Sequence, residues 1–196
     1  MITSNNDWVI PAGKDERRFC VIDVGDGVSQ NHAYFAEMDE ELDNGGREAL
    51  LADLLAFDLS TVNLRQTPRT EALLEQKLRS LEPIESWWHD RLMAGTPTSK
   101  GEGCISEAPI EGMFDDYIAT ADKIGVKRKA ELVAFGIKMK KLVGPERLKR
   151  IRPSMDVSPG QIKRVFCYRL PSLQQCRDAF EEALGQSIDW GEHDDG

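Results

Sequence analysis

Between Gly95 and Ala108 the chain carries Gly, Thr, Pro, Ser, Lys and Glu with almost no apolar residue. Such a stretch offers little to a core, so it reads as a linker and a domain boundary. Each side must then bury its own apolar residues. Before it, they recur at three and four, the helical period. Tyr34, Phe35, Met38 and Leu42 mark one helix, and Ala49, Leu50, Leu54 and Phe57 a second, with Asn44-Gly45-Gly46 between them. Thr67-Pro68 opens a third, since Pro is tolerated at the first helical position. Leu73, Leu74, Leu78 and Leu81 form its stripe. Pro83 restarts or kinks it, and Ile84, Trp87, Trp88, Leu92 and Met93 carry the apolar face onward. Trp87-Trp88 suits a core anchor better than a base-stacking platform.

Beyond the linker, Met113, Phe114, Tyr117, Ile118 and Ala121 predict a helix ending near Gly125, and Leu132, Phe135, Met139 and Leu142 a second ending at Gly144-Pro145. Leu148 to Arg152 alternates apolar and basic residues, Pro153 to Gly160 turns the chain, and Gln161 to Arg169 reads as a strand. Ser172 with Gln175 three residues on is a capping box for a last helix. Its core face is Leu173, Cys176, Phe180 and Leu184, and Ile188 and Trp190 should fold back on it. The fold class is therefore mainly α with small β.

Charge sharpens this reading. The net charge of −9 argues against a nucleic-acid binder as a whole. Yet residues 122–169 hold fourteen Lys or Arg against four Asp or Glu, an excess of ten. A polyanion responds to local field, not to the total. Helix, basic helix and basic hairpin in that order are what a winged-helix domain needs, with a helix-turn-helix for the groove and a hairpin for phosphate. The candidate contacts are Lys127, Arg128, Lys129, Lys138, Lys141, Arg150, Arg152, Lys163 and Arg164. Duplex or forked DNA is the expected partner. The acidic, apolar-striped helical segment suits protein docking instead, and that is the alternative function.

The opening residues carry a further pattern. Ile2-Thr3-Ser4-Asn5 reads as the end of a strand, followed by a polar turn to Asp15-Glu16-Arg17-Arg18 and a second strand from Phe19 to Val24. The order resembles the last part of a superfamily 3 helicase ATPase. The words Asn-Asn-Asp-Trp-Val-Ile-Pro-Ala, Asp-Glu-Arg-Arg-Phe, Glu41 to Leu51 and Tyr168-Arg169-Leu170-Pro171 resemble phage-encoded primase-helicases related to the poxvirus type. The resemblance implies that Asn5 is a sensor near nucleotide and that Arg18, or Arg17, is an arginine finger toward a neighbouring subunit. It implies a parent that uses ATP and Mg, assembles as a hexamer-like homo-oligomeric ring and works in a bacterial host's cytoplasm. It also implies that the C-terminal domain engages origin or template DNA. The chain has no Gly-x-x-x-x-Gly-Lys-Ser/Thr loop. It is therefore expected to be the C-terminal part of such an enzyme, without cofactor and without ATPase activity of its own.

The expected organisation is an ATPase remnant at 1–27, a helical segment at 28–95, a linker at 96–108, a winged-helix domain at 109–190 and an acidic tail at 191–196. No run of about 18 apolar residues suggests a membrane span. Cys20, Cys167 and Cys176 lie among apolar residues and read as small buried thiols, in keeping with a reducing compartment. Neither they and Cys104 nor His32, His89 and His193 show metal-ligand spacing. No nucleophile–base pair stands out, and Asp39-Glu40-Glu41 and Asp115-Asp116 read as solvated helix faces.

Overall fold

The structure is a computed structural model. It describes all residues but 14, 15, 17, 64, 102–105, 159, 160 and 192–196, and for 156–158 only the backbone. The fold is mixed α and β, about half helix, with small antiparallel sheets. It divides into two compact units, Arg17–Leu73 and Met1–Glu16 with Leu74–Gly196. Compactness thus parts the chain at Leu73 and Leu74, not within 96–108.

The unit Arg17–Leu73 holds two helices joined across a kink. Asn31 caps α1 (His32–Glu41) by accepting from the Tyr34 amide at 3.1 Å. The chain leaves helical geometry at Asn44 and Gly45, the latter at φ 101°, a value Gly adopts without strain. It then resumes as α2 (Arg47–Ala56). Neither helix contains a buried residue. Leu50, Leu51, Leu54, Leu55 and Phe57 are 56–78% exposed. Cys20 is exposed too, which corrects the expectation of a buried thiol.

In the other unit, the leading residues form no strand pair with 19–24. No residue described between 1 and 24 is in a strand. Their backbone groups go to a helix side chain instead. The Gln76 Oε1 of α3 (Glu71–Arg79) accepts from Val9 N at 2.7 Å, and its Nε2 donates to Asp7 O at 2.7 Å. Gln76 thus serves the backbone as a neighbouring strand would, and Ile10 and Ala12 are buried.

The main core follows. α4 (Pro83–Ala94) starts on Pro at its first turn, with Glu82 and Glu85 forming a reciprocal capping box, and stops at Gly95 in the left-handed region. β1 (Glu107–Pro109) leads into α5 (Ile110–Lys123) and then α6 (Leu132–Val143). A long hairpin comes next: β2 (Lys149–Ile151) and β3 (Ser154–Ser158) out, β4 (Gln161–Arg164) and β5 (Cys167–Arg169) back. The sheet order is β1-β5-β2, all antiparallel, with β3-β4 paired further out. α7 (Leu173–Leu184) carries the expected Ser172–Gln175 box. Trp190 packs back on the core, its Nε1 donating to Glu181 at 2.8 Å.

Trp87, Trp88 and Leu92 of α4 are at most 1% exposed and share one cluster with Met113, Tyr117, Phe135, Met139, Phe180 and Leu184. The Trp87 and Phe135 rings lie 5.4 Å apart and those of Tyr117 and Phe135 5.6 Å. The tryptophan pair is therefore core, as expected, but core of the same domain as α5–α7. Two buried cations finish the helix ends: Arg177 donates twice to Leu92 O, and Lys77 donates to Leu184 O at 3.1 Å. Both sit where carbonyls lack helical partners and the dipole is negative.

The expected linker is structured in its described part. Ala108 is 1% exposed, and Leu170 N donates to Ser106 O at 2.7 Å. Asp116 is not a solvated charge: Trp87 Nε1 and Ser99 N each donate to it at 2.9 Å. The stretch is polar because its groups bond to α5, not because it hangs in water. Burial raises the Asp116 pKa, but the Ser99 and Trp87 hydrogen bonds and the charge of Arg91 outweigh it, so the net shift is downward from 3.8. Its stabilisation is present above that value and lost as pH falls through the lowered folded pKa. Asp116→Asn should therefore melt below the parent at neutral pH, with the gap closing in acid. Equal melting temperatures at pH 7 would show that these bonds add nothing.

Candidate nucleic-acid interface

The hairpin keeps one register from Lys149 to Asp156 and shifts between Asp156 and Ser158. Arg150 faces Tyr168 and Ile151 faces Cys167, and further out Ser154 faces Arg164 and Met155 faces Lys163. Strand alternation then sorts the side chains by face. Arg150, Arg152, Arg164, Phe166 and Tyr168 share one face, and Lys149, Met155, Lys163 and Cys167 the other. Side-chain contacts agree: Met155 Sδ lies 3.4 Å from Cys167 Sγ, and the Arg152 guanidinium lies over the Phe166 ring.

The arginine face is the one turned to α6. A Cβ built on Gly136, mid-way along α6, would meet Tyr168 Oη at 3.0 Å. The missing side chain leaves room for the Tyr168 hydroxyl. Burial raises the Tyr168 pKa, with the Arg150 charge opposing. Lys140, one turn beyond Gly136, is exposed.

The predicted residues fall into distinct groups. Arg150, Arg152 and Arg164 are exposed on the α6 face, and Lys163 is exposed on the opposite one. Lys127 and Arg128 are exposed in the turn between α5 and α6, while Lys129 ion-pairs with Asp122. Lys141 lines an open hollow of about 380 Å³ with Arg147, Glu146 and Glu182, so it has acidic neighbours. Lys138 is committed elsewhere. Its Nζ lies 2.7 Å from Glu82 Oε2 and 2.8 Å from Glu85 Oε1, tying α6 to the first turn of α4. Burial lowers its pKa, but the two carboxylates more than offset this, and the net shift is upward from 10.5.

Two residues escaped the sequence reading. Lys140 was passed over in favour of its neighbours. Phe166, read as an apolar residue of the strand, is 44% exposed and carries both Arg150 and Arg152 over its ring. The signal was available, since pairing 150 with 168 places 166 beside both arginines.

The proposed ATPase residues are spread over both units. Asn5 is exposed in the larger unit, next to Asn6, whose amide donates to Ser4 Oγ at 3.0 Å. Arg18 belongs to the smaller unit, exposed, with its guanidinium 5.7 Å from the Phe19 ring centre. Arg17 lies outside the described residues. Among the described residues no three His, Cys, Asp or Glu are grouped to hold a metal ion. No helix among them is long and apolar enough to cross a membrane. Compared with family models, curated proteins and solved structures, the chain matches none.

Proposed function

We propose that the larger unit is a winged-helix module that binds the phosphate backbone of duplex or forked DNA. α6 is the groove helix and the β2–β5 hairpin the wing. The order helix, strand, helix, helix, strand, hairpin, strand from α4 to β5 supports this reading. The observation that carries it is the row of exposed arginines on one face of the hairpin, the face whose Tyr168 reaches Gly136 of α6. On the resemblance of its sequence words, we place the chain as the DNA-binding and assembly part of a phage or prophage replicative primase-helicase, inactive as an ATPase alone.

Fluorescence anisotropy with a labelled duplex across a salt series tests the binding. Contact with about four to six phosphates predicts log K falling with log salt at a slope of roughly −4 to −5. Arg164→Ala should flatten that slope by about one unit. Absence of binding at about 50 mM salt would remove the proposal, because phosphate attraction is strongest there.

The α1–α2 segment favours a second reading, docking to a protein partner. Residues 32–58 hold eight acids and one Arg and expose the leucines named above. That combination suits an apolar interface with an acidic rim and repels a polyanion. If deleting 32–57 changes the chain's association state but leaves DNA affinity intact, both readings hold in separate units.

A further inference from the structure

We propose that Arg150, Phe166 and Arg152 form one site that grips two consecutive phosphodiesters of a single nucleic-acid strand, with Phe166 as the positioning residue. This rests on the DNA-binding reading and names where the backbone is held. The guanidinium carbons of Arg150 and Arg152 lie 4.2 and 4.7 Å from the centre of the same ring. An aromatic face attracts a cation, and the planar guanidinium stacks on it while its N–H edges stay free to donate. The ring therefore fixes where the two arginines stand without consuming their hydrogen-bonding capacity. No carboxylate among the described residues ion-pairs with either one.

The contrast with neighbouring cations is informative. Arg169 is matched by Glu107 at 2.7 Å, Lys129 by Asp122, and Lys138 by two glutamates. Among the described residues no carboxylate does the same for the pair stacked on Phe166. Two like charges held on one ring repel each other, and an anion bridging or facing both relieves that repulsion. Their spacing also suits the ligand. The two ring distances put the guanidinium carbons at most about 9 Å apart, within reach of neighbouring phosphates on one strand. Phe166 stays 44% exposed, so the arginines are held beside solvent and not folded into the core. Arg164, on the same face, extends the cationic line outward along the hairpin.

A positioning role and a charge role separate in the salt dependence. Phe166→Leu keeps bulk and apolarity but loses the ring, so both charges remain and only their placement is lost. In the full chain, titrated with a labelled duplex, Phe166→Leu should weaken binding by about fivefold to thirtyfold with the salt slope unchanged. Phe166→Tyr should restore parent affinity. Arg150→Gln and Arg152→Gln should each weaken binding and flatten the slope by about one unit. Parent-like affinity for Phe166→Leu, or failure of Phe166→Tyr to rescue, would overturn the positioning role while DNA binding stands. A parent slope untouched by both Gln variants would overturn the site itself. Absence of binding by the parent chain would overturn the DNA reading and this site with it.

Discussion

A polypeptide of residues 109–191 is expected to show no cooperative melt, while residues 71–191 melt in a single transition. The stretch 109–191 contains α5, α6, the hairpin and α7, and its composition looks sufficient for a small domain. What it lacks is α4. Trp87, Trp88 and Leu92 are at most 1% exposed in the cluster that α5, α6 and α7 build. Truncating one buried Trp or Leu costs about 2–5 kcal/mol, and whole domains hold only about 5–15 kcal/mol. Removing three such side chains with their helix costs as much as that whole margin. It also strips the Trp87 indole from Asp116 and the Leu92 carbonyl from Arg177. Circular dichroism melts of the two polypeptides decide the point. A sharp melt for 109–191 would mean that α4 only covers a core that stands without it.

Lys138→Ala is expected to lower stability by about 3–5 kcal/mol and to leave DNA affinity unchanged at temperatures where the variant is folded. Glu85 has a side chain 5% exposed, and Lys138 one 19% exposed. Taking away the lysine leaves a buried carboxylate without that cation, which is the expensive way to break a buried pair. Glu85→Gln with Lys138→Met should cost much less than Lys138→Ala, since no charge is then stranded. The raised lysine pKa makes the contribution full below about 10.5 and lost as pH rises through the folded value. The gap between parent and Lys138→Ala should accordingly narrow only in strong alkali. Urea unfolding across pH provides the stability, and anisotropy on folded protein provides the affinity. If Lys138→Ala flattens the salt slope by one unit at unchanged stability, Lys138 belongs to the interface and the triad does not hold in solution.

These two cases show where a one-dimensional reading stops. Helices with caps and stripes were legible: Asn31, Pro83, Gly95, Ser172 and Gly185 all act within a turn of themselves. The inner half of the hairpin was legible from alternation, but Ser154–Ser158, read as part of the turn, is strand β3. β1 was not, because three residues, Glu107-Ala108-Pro109, have no period to detect. The leading residues look like strand by composition, but their backbone is satisfied by Gln76, more than sixty residues away. Lys138 reads as a free cation until α4 is placed against α6, since its glutamates stand 53 and 56 positions earlier. The candidate site divides in the same way. Its charge excess is a sequence property, whereas which cations point together depends on register, and so does the exposure of Phe166.

The location of the indoles has a spectroscopic consequence. Trp8, Trp87, Trp88 and Trp190 all belong to the larger unit, and Arg17–Leu73 contains no tryptophan. Intrinsic fluorescence excited at the indole band therefore sees the larger unit alone, while far-ultraviolet ellipticity also counts the turns of α1 and α2. If the exposed α1–α2 segment loosens at lower denaturant than the aromatic cluster, the two signals will trace displaced curves, and the chain will look multistate although each unit unfolds in one step.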